Sequence, residues 1–127
     1  MTLSQRSTIL TRIVSSTADA LAKRKIEQPL SRLSASLPCL PQPRDFRAAL
    51  TGNSCCIIAE IKRSSPSVGR ILQDFDPPGI ARDFEKGGAA ALSVLTEEHF
   101  FEGNLSYIEA VKHVSSLPVL RKDFIID

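Results

Sequence analysis

Three short apolar runs constrain this chain most: Cys55–Ile61, Ala89–Leu95 and Pro118–Arg121. None alternates apolar with polar residues, as a strand with one wet face would. Near-continuous apolar strands are buried on both faces, which is the pattern of a parallel sheet covered by helices. The intervening segments are of helical type. Asp76 and Pro77 open one, with Asp76 as the cap and Pro77 at the first position. Ile80 and Phe84 form its inner face, and Gly87-Gly88 stops it. Asn104 caps the next, Leu105–Val114, whose Leu105, Ile108 and Val111 recur at helical spacing. The order is β-α-β-α-β, the repeat of α/β folds.

Upstream the pattern differs. A long helix is expected from about Ser4 to Lys25, with Ile9, Leu10, Ile13, Val14 and Leu21 on one stripe. Its last turn gathers Lys23, Arg24 and Lys25 at the negative end of the helix dipole. Pro29 ends that region and leaves room for at most a short turn around Leu30–Leu33. Pro38, Pro41 and Pro43 then make a stiff connector. Arg44–Leu50 reads as a short helix, with Phe46 and Leu50 paired four apart and Thr51-Gly52-Asn53 closing it. The expected division is therefore 1–54, a helical and Pro-rich segment, and 55–127, the strand-bearing part.

The 127 residues suit one domain, and the net charge of +2 is too small to argue for nucleic acid. The charge is uneven: residues 1–50 hold eight Lys or Arg against three acids, and the remainder eight against eleven. A solvated helix face accounts for the basic third, with a weak pull on anionic ligands as the functional alternative. Residues 1–18 contain Ser, Thr and Arg but no acid, like a transit peptide; the apolar stripe favours a helix of the mature protein. Cys39, Cys55 and Cys56 are odd in number and form no Cys-x-x-Cys, which favours free thiols in a reducing compartment. No apolar run is long enough to span a membrane.

In parallel α/β architectures function sits at the carboxyl ends of the strands, in an open doubly wound sheet and in a (β/α)8 barrel alike. Glu60, Lys62, Thr96, Glu97 and Lys122 all fall at or just past such ends. Glu60 and Lys62 are two apart and share a face. They pair as a simple salt bridge, or they are a carboxylate and an ammonium of an active site. Ionisable groups on an otherwise apolar strand are costly unless paired or solvated, and sites are where such costs are tolerated. Lys122 ends its strand in the same way, which suggests one shared mouth. A lysine in a desolvated mouth serves as a general acid or a Schiff-base nucleophile. Ser64–Gly69 is a polar loop able to hydrogen-bond a substrate or simply to face solvent. Phe100, Phe101 and Phe124 flank these strand ends, either as core or as walls for a planar ring.

Other chemistries lack their residues. No Gly-x-Gly-x-x-Gly follows the first strand and no Gly-x-Ser-x-Gly is present. Asp74, Asp76, Gly79 and Glu85 imitate part of a calcium loop, but Pro78 stands where a ligand is needed. His99 and His113 are isolated, so no metal site is expected.

Four stretches together closely resemble the indole-3-glycerol phosphate synthases. They are Ala59-Glu-Ile-Lys-Arg-Ser-Ser-Pro-Ser67, Asp74-Phe-Asp-Pro77, Ser93-Val-Leu-Thr-Glu-Glu98 with Phe101 and Gly103, and Leu120-Arg-Lys-Asp-Phe-Ile-Ile-Asp127. Pro43-Arg-Asp-Phe46 fits more weakly. The resemblance implies a cytoplasmic (β/α)8 TIM barrel preceded by a helical extension, here represented by that extension and the first β-α-β-α-β units. It implies closure of an indole ring on an anionic sugar-phosphate substrate, with loss of carbon dioxide and water and no metal or organic cofactor. By resemblance Lys122 is the general acid that protonates the substrate ketone. Glu60 orients Lys122 or moves protons in dehydration, and Lys62 holds the anionic substrate and shares acid duty. Ser65 is a substrate-binding loop residue, and Leu95, Phe101 and Phe124 wall the aromatic ring. Val68 stands where many relatives carry a lysine. A whole barrel needs about 250 residues and eight strands, so an incomplete barrel is expected: a fragment, a truncated product or a split subunit. Such a part would act through a complementary chain, or self-associate through its open sheet edges.

Overall fold

The computed structural model describes residues 8–52 and 55–127. Two compact units divide the chain. One comprises residues up to Gln42 together with Phe124–Asp127; the other is Pro43–Asp123.

In the first unit, helix α1 spans Ile9–Glu27. Thr8 caps it, its hydroxyl accepting from the Thr11 amide at 3.2 Å. Only Ile13 of the expected stripe is buried, whereas Ile9, Leu10 and Val14 are exposed. The part of the expected helix at residues 4–7 lies outside the described residues. Helix α2, Leu30–Ser36, runs past the single turn expected, and a 3-10 turn at Leu37–Cys39 follows it. The physical reason lies in Pro29. Placed before the helix, it loses no needed donor, and its carbonyl accepts from Arg32 and Leu33. No further proline interrupts until Pro38. Lys25 pairs with the Asp127 carboxylate in the same unit.

The second unit is built on a parallel sheet. It begins with α3, Phe46–Ala49, capped by Asp45 accepting from the Ala48 amide at 2.8 Å. Strand β1 is Ile58–Ile61, followed by a small antiparallel ribbon of β2, Ser64–Ser65, and β3, Gly69–Arg70. Then come α4, Pro77–Lys86, β4, Ala91–Leu95, α5, Ser106–Val114, and β5, Val119–Lys122. The sheet order is β1-β4-β5, all parallel, with Glu60 opposite Ser93 and Ser93 opposite Leu120.

Two strands start later than their apolar runs. β4 begins at Ala91, not Ala89, because α4 ends in a six-residue turn. The Ala89 amide donates to the Phe84 carbonyl at 3.0 Å, and Gly88 takes φ +89°. β1 correspondingly pairs from Ile58, opposite Ala91; Cys55 to Ile57 precede the strand, with the Ile57 carbonyl accepting from the Ala90 amide at 2.8 Å. The first Pro-capped helix also differs in detail: Asp76 occupies the cap position and its carbonyl takes the Ile80 amide, but its carboxylate caps nothing. At α5 the cap position is Leu105, and Asn104 just before it accepts from the Ser106 amide at 2.9 Å.

Alternate sheet residues point to opposite faces. Ile61, Leu92 and Val94 meet Ala81 of α4 and Val111 of α5 in the buried core. Phe75, Ile80, Phe84, Tyr107 and Ile108 extend it, with Phe75 and Tyr107 in edge-on ring contact at 5.5 Å. Both crossover helices thus seal one face. The other carries Ile58, Glu60, Ser93, Leu95, Leu120 and Lys122.

The end of the unit opposite the strand termini is tied by Arg44. Its guanidinium donates to the carbonyls of Ser115 and Leu117, each at 2.8 Å, and of Lys112 at 3.1 Å. These lie in the last turn of α5 and in its link to β5. Beside them Glu85 accepts from the backbone amide of Ser116 at 3.0 Å and from its hydroxyl. These bonds hold the Glu85 carboxyl below the ordinary glutamate range, Ser116 being the main cause.

Candidate active site

The ladder register builds the site. Glu60, Ser93 and Leu120 form one row across the uncovered face. One step toward the carboxyl ends, Leu95 stands opposite Lys122, and Lys62 follows β1 two residues after Glu60. The three expected ionisable groups are therefore on the same face of the sheet, at its carboxyl edge.

Glu60 is the centre of this row. Its Oε1 lies 3.3 Å from Lys62 Nζ, and its Oε2 accepts from Ser93 Oγ at 3.2 Å. Roughly a third of each side chain remains exposed, 36% for Glu60 and 33% for Lys62. Pairing and partial solvation together remove most of the cost of placing charges on an apolar strand. Ser93 went unremarked as a site residue; its signal is that it is the one hydroxyl within the apolar run Ala89–Leu95. Lys122 is exposed and makes no ion pair among the described residues. The Glu60 carboxylate is engaged by Lys62 and Ser93.

Thr96 and Glu97, also singled out at a strand end, serve the framework. The Thr96 hydroxyl donates to Asp123 Oδ2 at 2.6 Å and accepts from Arg121 Nε at 3.1 Å. Glu97 is 5% exposed, and its carboxylate accepts from the amides of His99, Phe100 and Phe101 at 2.7 to 3.1 Å. It fixes the loop that presents Phe101, which is half-buried. Gly103 closes this loop, its amide donating to the Glu97 carbonyl at 2.7 Å. A Cβ there would fall 2.6 Å from the Leu95 carbonyl oxygen and 2.8 Å from that of Glu97, so only glycine fits.

Ser65 is buried at the start of the ribbon turn. Its Oγ accepts from the Val68 amide at 3.3 Å and lies 3.4 Å from Ser67 Oγ. Leu95 is buried in β4. Phe124 is half-buried and belongs to the first unit. Among the described residues no group of His, Cys, Asp or Glu is arranged to hold a metal ion.

A row of ionisable side chains at the carboxyl edge of a parallel sheet, with crossover helices on one face, defines an α/β unit of the strand–helix repeat class. The sheet order alone suits a barrel or half of a doubly wound sheet; comparison with known proteins decides between them. The indole-3-glycerol phosphate synthase family matches residues 10–127, and the chain belongs to that family of (β/α)8 barrels. It is 47% identical over 121 residues to indole-3-glycerol phosphate synthase of Rhodopirellula baltica, covering 94% of this chain and 47% of that protein. It is 45% identical over 125 residues to the one of Aromatoleum aromaticum, covering 95% and 48%. The synthase of Campylobacter fetus is 48% identical over 120 residues, covering 94% and 46%. The chain thus spans about half the length of the curated relatives it matches.

Proposed function

We propose that this chain supplies the first three strands of a barrel that makes indole-3-glycerol phosphate. The reaction is ring closure of 1-(2-carboxyphenylamino)-1-deoxyribulose 5-phosphate, with loss of carbon dioxide and water. Residues 1–54 are its helical extension and 55–127 its incomplete barrel. The observation that supports this reading is the register, in which Glu60 and Lys122 share one face near the carboxyl strand ends, together with Lys62 3.3 Å from Glu60. Lys122 protonates the ketone oxygen, which makes its carbon electrophilic enough for the aromatic ring to attack. Lys62 draws in the anionic substrate while held by Glu60, and Glu60 moves protons in dehydration. Ser65 binds substrate from the ribbon turn. Leu95 and Phe101 wall the anthranilate ring; Phe124 keeps the same role by resemblance alone. The chemistry needs no metal or organic cofactor, and the setting is the cytoplasm. No described helix is long and apolar enough to cross a membrane.

β1 and β5 each pair on one side only among the described residues, and Ile58 and Leu120 are exposed. This favours a second reading, in which the unit works with a complementary chain that supplies the other strands, or associates with itself. The test is indole-glycerol phosphate formation followed by fluorescence, for the 127-residue protein and for its Lys122→Ala variant, each with and without a polypeptide carrying the later strands. Turnover that appears on complementation and falls at least about 100-fold in the variant supports the catalytic reading. Concentration-dependent oligomers with no turnover in any mixture support a non-catalytic module.

A further inference from the structure

We propose that Glu102 is a positioning residue, an ionic latch that ties the ribbon after β1 to the loop after β4. The inference rests on the strand-end row being the site. Glu102 is the one described non-glycine residue with left-handed backbone, at φ +52°. That conformation is disfavoured for any residue with a Cβ. What its side chain gains there is two guanidinium partners on one oxygen. Glu102 Oε2 accepts from Arg70 Nη2 at 2.8 Å and Nε at 3.1 Å, and it lies 3.4 Å from Arg63 Nε.

The two arginines stand at opposite legs of the ribbon. Arg63 immediately precedes β2, and Arg70 lies within β3, opposite Ser64. The Ile71 amide donates to the Arg63 carbonyl at 2.8 Å, which closes the base of the same ribbon. Arg63 Nε is buried without a hydrogen bond, so charge alone draws it to Glu102. On the other side Glu102 cannot drift, because Glu97 and Gly103 fix its loop. One carboxylate therefore sets the spacing between two parts of the mouth. Lys62 precedes Arg63, Ser65 follows it by two residues, and Phe101 precedes Glu102. The latch holds the ribbon against the rigid loop, so that the ammonium and hydroxyl of one strand end face the aromatic wall of the next.

The experiment is residue-resolved amide hydrogen exchange on the 127-residue protein, at low and high salt, for the native chain and for Glu102→Gln and Glu102→Gly. Exposed ion pairs of this kind correspond to about 1.4-fold to fivefold in exchange rate. Val68 and Ile71 amides should exchange faster by that factor in both variants, while the Thr96 amide, bonded to the Lys122 carbonyl within the sheet, stays unchanged. Salt should speed Val68 and Ile71 in the native chain and leave Glu102→Gln indifferent. Unchanged ribbon amides in Glu102→Gln would overturn the latch, as would equal acceleration of Thr96. So would a more protected ribbon in Glu102→Gly, which relieves the backbone and lacks the carboxylate. In complemented protein that turns over, loss of the latch in Glu102→Gln should raise KM and leave kcat within about twofold; the reverse pattern would also overturn it. Absence of turnover in any mixture would sink the proposed function and leave the exchange result to decide the latch.

Discussion

Replacing Arg44 with alanine tests how much of the sheet unit depends on one side chain from the Pro-rich connector. The guanidinium donates to three carbonyls, two at 2.8 Å and one at 3.1 Å. Hydrogen bonds from a charged donor contribute roughly 1.5–3 kcal/mol each when formed with little exposure. Those to Leu117 and Lys112 are at the surface, where water replaces the lost donor, and they count for a few tenths each. The Ser115 bond is partly buried, and Ser115 itself is 5% exposed. Its loss leaves a carbonyl that water reaches poorly. A cation at the carboxyl end of α5 adds about 0.3–1 kcal/mol through the helix dipole. Together these predict a loss of about 2–3 kcal/mol in Arg44→Ala. For a unit of this size that is on the order of 10–20 °C in the unfolding midpoint. Arg44→Lys keeps the charge but cannot fork between carbonyls, and should lose about half as much. Urea denaturation of the three proteins, followed by circular dichroism, gives the comparison. A loss below about 0.5 kcal/mol in Arg44→Ala, the level of an ordinary surface change, would refute this account. So would a lysine variant no better than alanine.

Gly103→Ala should destabilise by roughly 1–3 kcal/mol or more, because the obstacle is backbone on three sides; calorimetry that finds it neutral would show that the loop yields. Glu85 should make stability fall in acid. Its folded pKa is lowered, so its contribution is complete above the unfolded glutamate pKa of about 4.3 and is lost as pH drops through the folded value. Urea midpoints measured from pH 7 down to pH 3 should fall less steeply in Glu85→Gln than in the native chain, and parallel curves would remove Glu85 from the acid response.

The repeat of strands and helices was legible because its signals are local. Apolar runs, the Gly87-Gly88 stop and the Asn104 side chain act within a few residues of where they stand. Glu60 and Lys62 were legible as a pair because strand geometry alone puts them on one face. The strand starts were not, because a ladder begins only where its neighbour begins, and the turn that ends α4 consumes Ala89. Nor was the Ser64–Arg70 ribbon, since two-residue strands have no period. The second helix outran its expected single turn because the serines of Leu30–Ser36 hide its continuity. The carbonyls held by Arg44 lie about seventy residues away, and the Ser93 bond to Glu60 crosses the sheet. Neither leaves a trace in local pattern.

The five residues of β4 separate two kinds of tolerance by parity. Leu92 and Val94 point into the helix-covered core, whereas Ala91, Ser93 and Leu95 line the opposite face with Glu60 and Lys122. A mutational scan along this strand should therefore beat in twos. Changes at even positions should lower the amount of folded protein, and changes at odd positions should alter what the folded protein can bind. Sequence drift in such a strand should answer to two separate constraints, the fit against α4 and α5 at Leu92 and Val94 and the neighbours on the opposite face at Ser93 and Leu95.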